Sequence, residues 1–260
     1  MSTVVMPEPV VVVGMGEMGS VFARGFLRAG YPVVPVVRTN SMAELAAQLP
    51  EPELVLIAVA EADLQSLLSE VPSSWRDRLV LLQNELLPAD WKQHDLEPTV
   101  ISVWFEKKKG QDVKVLIASP AYGKHARSLA DALATLDIPV RMLADEDALV
   151  FELILKNVYI ITTNIAGLRV GGSVGELWSQ HRELAENIAR EVMQLQFALT
   201  GEVIEPDRLM SGMLEAFNGD LEHQCMGRSA PARLDRALNL ARQYKLDLPT
   251  IEMVSLTKQD

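Results

Sequence analysis

The sequence predicts an α/β protein in two parts, with strands and helices alternating first and helices alone afterwards. Three observations carry this reading. Short β-branched runs recur to about residue 142, and helical patterns separate them. The runs are continuously apolar, as strands covered on both faces of a parallel sheet are. Beyond residue 143 no convincing strand occurs, and apolar residues recur at spacings of three and four.

Each element follows from its residues. Val10–Val13 is a β-branched strand ending at Gly14. The next helix places Val21, Phe22, Phe26 and Leu27 on an apolar face and stops near Gly30. Val33–Val37 is a second strand, Met42–Leu49 a short helix and Leu54–Val59 a third, buried strand. Leu64–Leu68 is helical, and Leu79–Leu82 is a fourth strand. Thr99–Trp104 and Val113–Ile117 flank the polar stretch Lys107-Lys108-Lys109-Gly110, which predicts a hairpin. His125–Leu136 is helical, and Pro139–Met142 is a last short strand. Leu149–Ile165 is apolar and long enough for a buried helix. Leu184, Ile188, Val192, Leu195 and Leu199 mark an amphipathic helix. Leu234, Leu238 and Ala241 mark another, before Leu248-Pro249. The expected domains are residues 1–142 and 143–260.

Composition narrows the class. The 260 residues are 48% apolar and 23% charged, an ordinary globular mix. Aromatics are only 5%, so aliphatic side chains must build the core. A net charge of −11 disfavours a nucleic-acid surface but leaves room for a local basic pocket. One cysteine, Cys225, forms neither an intrachain disulfide nor a thiolate metal site, which fits a reducing compartment. The opening residues lack a charged and apolar leader, and the Val10–Val13 run is far too short to span a bilayer. A cytoplasmic protein with no membrane partner is expected. His94, His125, His181 and His223 lack metal-ligand spacing, so no metal is expected.

The loop after the first strand carries the clearest chemistry. Gly14-Met15-Gly16-Glu17-Met18-Gly19 matches G-x-G-x-x-G between a strand and a helix, which predicts a dinucleotide-binding Rossmann unit. Gly14 permits the tight turn, Gly16 lets the backbone approach a pyrophosphate, and Gly19 lets helix and strand pack closely. The helix N-terminus offers N–H groups to the anion. The second strand ends Val37-Arg38-Thr39-Asn40, without the acid that bonds a ribose hydroxyl in NAD sites. Arg38 suits a 2′-phosphate as a fork, with Thr39, Asn40 or Ser41 adding hydrogen bonds. The expected cofactor is NADP(H). Lys156 interrupts an apolar stretch, so it must snorkel or meet an acceptor. Asn164 lies eight residues on, about two turns along the same helix face.

The order of these motifs resembles the ketopantoate reductase (2-dehydropantoate 2-reductase) family, within the 6-phosphogluconate-dehydrogenase-like group. The likeness covers most of the chain. It takes in the glycine loop, Arg38, Leu82-Gln83-Asn84-Glu85 and the run from Ile138 through Asp145 to Lys156. It continues through Asn164, Gly175-Glu176-Leu177 and Leu248-Pro249. The spaced Lys156, Asn164 and Gly175-Glu176-Leu177 set is its more specific part. The resemblance implies a Rossmann domain binding NADPH, a helical domain for substrate and dimerisation, and a substrate cleft between them. It implies hydride transfer to a 2-oxo acid, with Lys156 as general acid and Asn84 beside nicotinamide and substrate. Asn164 matches a substrate-binding asparagine. The family's late acidic residue falls near Ser229, which makes Ser229 a substrate-side position. The chain departs from the family at Ile160, where a second asparagine is usual, and around Ser229, where no carboxylate occurs. It departs again at Val59-Ala60-Glu61-Ala62-Asp63, where a lysine and a glutamine are common. Two other readings fit the same residues: a non-catalytic NADP(H)-binding sensor and an imine-reducing relative.

Overall fold

The computed structural model describes residues 7–256, and the Met1–Met6 stretch read for targeting lies outside them. The chain divides into two compact units, Met1–Val150 and Phe151–Asp260. The divide falls inside a long helix, later than the 142/143 boundary expected from the last strand.

The first unit begins β1 (Val10–Val13), α1 (Glu17–Arg28), β2 (Val33–Val36), α2 (Met42–Gln48), β3 (Leu54–Ile57), α3 (Leu64–Ser69), β4 (Leu79–Leu81) and α4 (Pro88–Lys92). It continues with β5 (Thr99–Ile101), β6 (Phe105–Glu106), β7 (Lys114–Val115), β8 (Ser119–Tyr122), α5 (Ala126–Ala134) and β9 (Val140–Met142). Seven strands form one sheet in the order β2-β1-β3-β4-β5-β8-β9. Every residue of β1 and β3 is buried, as continuous apolar runs in the middle of a covered sheet should be. Phe22 and Phe26 of α1 pack into the same core as Val10, Val12, Leu54 and Leu56.

Two expectations are corrected. The sheet is not wholly parallel, because β8 runs antiparallel to β5. The hairpin is also shorter than expected. Thr99–Ile101 joins the main sheet beside β4, and only Phe105–Glu106 pairs with Lys114–Val115. Burial explains this: Thr99, Val100 and Ile101 are all inside, where a two-stranded ribbon offers no cover.

The second unit holds most of α6 (Glu146–Val170), then α7 (Val174–Gln180), α8 (Arg182–Thr200), α9 (Pro206–Gly219), α10 (Ala230–Tyr244) and α11 (Pro249–Leu256). α6 is long and apolar enough to cross a membrane, but 72% of its apolar window is buried inside the protein. It is a core helix. Asn157 on α6 donates to Gln196 on α8 at 2.9 Å, a buried bond that fixes their register. Tyr159 and Trp178 both pack edge-on against Phe217 of α9.

One buried carboxylate fastens the last helix. Glu191 of α8 accepts the backbone N–H groups of Thr250 and Ile251, each at 2.8 Å, in the first turn of α11. It thus satisfies two donors that the helix itself leaves unpaired. Glu191→Ala is expected to cost about 1–3 kcal/mol, because those buried donors lose their acceptor. Urea unfolding checks it.

Candidate functional site

In the first unit, the sheet order reverses direction between β1 and β3, where α/β sheets open a crevice at their carboxyl ends. The glycine loop leaves β1 at this point. It is fastened on both sides: Gly14 N–H donates to Val36 O at 2.9 Å, and Ala58 N–H donates to Val13 O at 2.7 Å.

The fold itself requires two of the three glycines. Gly14 has φ +94°, and a Cβ there would lie 2.7 Å from Ala58 O. A Cβ on Gly19 would lie 2.0 Å from Gly14 O and 3.2 Å from Ala58 Cβ, so close packing of α1 excludes one. A Cβ on Gly16 would meet nothing within 4 Å. Nothing in the fold needs a glycine at 16, which leaves an open approach to the backbone as its reason. This cradle fits a dinucleotide pyrophosphate. Met15 and Glu17 are exposed, and Met18 packs partly onto the core. Glu17 pairs with Lys107 at 3.6 Å.

The neighbouring carboxyl ends bring other expected residues to the same end of the sheet. After β2, the Val37–Asn40 turn is closed by Asn40, whose Oδ1 accepts Val37 N–H at 3.0 Å. Ser41 accepts Glu44 N–H and caps α2. Those two side chains hold the turn, leaving Arg38 and Thr39 exposed on it. Arg38 makes no ion pair among the described residues.

After β4, Gln83 is buried and donates to Ile57 O at 2.7 Å and Val59 O at 3.3 Å. It thereby ties the end of β4 to the end of β3 and presents Asn84, half-buried on the following turn. In the sequence Gln83 stands only as the neighbour of Asn84. Its signal was a polar residue directly at the end of an apolar strand.

The second unit gathers Lys156, Asn164 and Arg233. Lys156 keeps some exposed surface, but its ammonium is enclosed, with the Tyr159 ring centroid 5.5 Å away. Burial, and then the charge of Arg233, lowers its pKa to about 7. Asn164 is buried with both amide ends engaged. Nδ2 donates to Cys225 O at 3.0 Å, and Oδ1 accepts Arg233 Nη1 at 2.8 Å. The amide expected to bind substrate therefore anchors an arginine.

α10 brings Arg233, not Ser229, to this cluster. Ser229 lies exposed at the helix start and makes no capping bond. Arg233 occupies the buried stripe with Ala230, Leu234, Ala237 and Ala241. Flanking Ser229 in sequence, Arg228 and Arg233 are both candidates to grip a substrate carboxylate, and of the two Arg233 is the buried one.

Gly175-Glu176-Leu177 is a docking element. Glu176 and Ser173 form a reciprocal capping box on α7. Gly175 N–H donates to Leu221 O at 3.0 Å, and a Cβ on Gly175 would press on that same carbonyl. Val174 N–H donates to His223 O and Cys225 N–H to Gly172 O. This set pins the 221–225 segment whose last carbonyl orients Asn164. Cys225 is fully buried, and burial with the nearby Glu176 charge pushes its thiol up to about 11. It stays protonated and is no nucleophile.

No protein-family model matches the chain, and no curated protein matches it in sequence. Solved structures do match its fold. A 2-dehydropantoate 2-reductase from Methylococcus capsulatus is 14% identical with a TM-score of 0.67, covering 96% of each chain. D-mandelate dehydrogenase in complex with NADH is 15% identical with a TM-score of 0.67, covering 95% of this chain and 96% of that one. A dimeric ketopantoate reductase from Staphylococcus aureus is 15% identical with a TM-score of 0.63, covering 97% and 100%. The chain has the ketopantoate reductase fold, a Rossmann unit followed by helices.

Proposed function

We propose that this protein is an NADPH-dependent reductase that delivers hydride to the carbonyl of a 2-oxo acid or related small molecule. The observation that carries this reading is Lys156. It is a lysine on the core helix of the second unit, with its pKa drawn to about 7, in a chain whose first unit holds an intact glycine cradle. The match to 2-dehydropantoate 2-reductases and to an NADH-bound mandelate dehydrogenase supports the same chemistry.

Residues 1–142 bind the cofactor and residues 143–260 take the substrate. The nicotinamide supplies the hydride when bound. Gly14, Met15, Gly16, Glu17, Met18 and Gly19 present the helix N–H groups to the pyrophosphate. Arg38 and Thr39 take the 2′-phosphate, and Asn84 lies on the nicotinamide side. Lys156, protonated, polarises the carbonyl oxygen and gives it a proton as negative charge develops there. Asn84 contributes polar contacts to the substrate, while Asn164 holds Arg233 in place. The acidic surface and single cysteine suit a cytoplasmic enzyme. A homodimer, as named for the Staphylococcus aureus neighbour, is its assembly.

The test mixes the protein with NADPH and a panel of 2-oxo acids and follows loss of nicotinamide absorbance. Turnover on at least one substrate is expected. Cofactor binding with no turnover on any would favour a sensor. Arg38 gives a separate result. A charge-assisted hydrogen bond is worth about 1.5–3 kcal/mol, so Arg38→Ala should weaken NADPH by roughly tenfold or more and leave NADH unchanged. Equal affinity of wild type for both cofactors would remove Arg38 from the site.

A further inference from the structure

The run Lys107-Lys108-Lys109 occupies the β6–β7 hairpin and has no part in the function proposed above. Its first lysine is not a solvated surface charge. Lys107 Nζ lies 3.6 Å from Glu17 Oε2 and donates to the backbone carbonyls of Lys108 and Gln111. Only 21% of its side chain is exposed, against 53% for Lys108. The hairpin is also seated on α1, with the Phe105 and Phe22 rings 6.0 Å apart.

Glu17 is an awkward residue for its place. It is the first residue of α1, where the helix N–H groups would receive a pyrophosphate. A carboxylate there favours the helix when no ligand is bound, because it complements the N-terminal dipole. It repels an arriving pyrophosphate. A cation held against that carboxylate cancels the repulsion and stands within reach of the same anion.

We infer that Lys107 is a pyrophosphate-binding residue, held ready by Glu17 at the mouth of the glycine cradle and handed to the dinucleotide when it binds. The hairpin thereby senses whether the cradle is filled. The inference rests on the dinucleotide reading, and the experiment separates the two.

The measurement is equilibrium binding of NADPH and NADH, each titrated by fluorescence against wild type, Lys107→Ala and Glu17→Gln, with melting temperatures as a folding control. Lys107→Ala should weaken both cofactors equally, by roughly tenfold, because the pyrophosphate is common to them. It should also flatten the salt dependence of binding. Glu17→Gln should tighten both, and Lys107→Arg should bind like wild type. Unchanged affinity of Lys107→Ala for both cofactors would overturn the assignment. Loss confined to NADPH would also overturn it, placing Lys107 at the 2′-phosphate. If wild type binds neither cofactor, the dinucleotide reading itself fails.

Discussion

Lys156→Ala is expected to slow reduction by about 10²–10⁴-fold, the usual share of a positioned general acid. Cofactor affinity should stay within about twofold of wild type, since the glycine cradle belongs to the other unit. The pH dependence has a definite sign. The donor is the ammonium, whose pKa burial and Arg233 bring to about 7. Above pH 7 the protonated fraction falls tenfold per unit, and reduction should fall with it. The reverse oxidation needs the neutral amine and should rise through the same pH.

Stability moves the other way. The folded pKa lies below that of the unfolded chain, about 10.4. Between the two values the unfolded chain binds more protons, so raising the pH stabilises the fold. The cost of enclosing the charge is complete below pH 7 and gone above about 10.4. Lys156→Met should therefore melt above wild type at pH 6, with the gap closing as the pH rises. A variant that is inactive yet more stable would identify a lysine retained for chemistry. A variant less stable than wild type at pH 6 would mark Lys156 as a structural residue.

The second large effect separates fold from ligand at the glycine loop. Gly16→Val is expected to abolish measurable binding of both NADPH and NADH, a loss of about a hundredfold or more, with no fall in melting temperature. A Cβ on Gly16 meets nothing, and its φ of −71° suits any residue. Only an incoming ligand would collide with the new side chain. Gly19→Ala should lose binding and stability together, because its Cβ would sit 2.0 Å from Gly14 O. Relieving such an overlap costs about 1–3 kcal/mol or more. Calorimetry and cofactor titration on the two variants read both quantities. A Gly16→Val protein that still binds dinucleotide would show that the loop is only a turn.

Much of the first unit was legible in its residues because its signals are local. A continuous apolar run is a buried strand wherever it lies, and a glycine triplet between strand and helix constrains its own backbone. The lysine in an apolar helix was legible for the same reason. α7 and α11 are not legible in the sequence because they are short. They are set by partners distant in sequence, as when Glu191 caps α11 across 59 residues. β8 is not legible either, since Ser119–Tyr122 carries Ser and Pro and is a strand only because β5 and β9 flank it.

The sequence by itself determined the two-part α/β organisation, the strand-to-helix glycine turn and the lysine within an apolar helix, since each depends on neighbours along the chain. Tertiary structure alone decided which side chains meet. It turned Asn164 inward onto Cys225 and Arg233, made Gly175-Glu176-Leu177 a clamp for the 221–225 segment, and brought Lys107 to Glu17. Hydrogen bonds and charges act over a few ångströms of space, and no spacing along the chain encodes those distances.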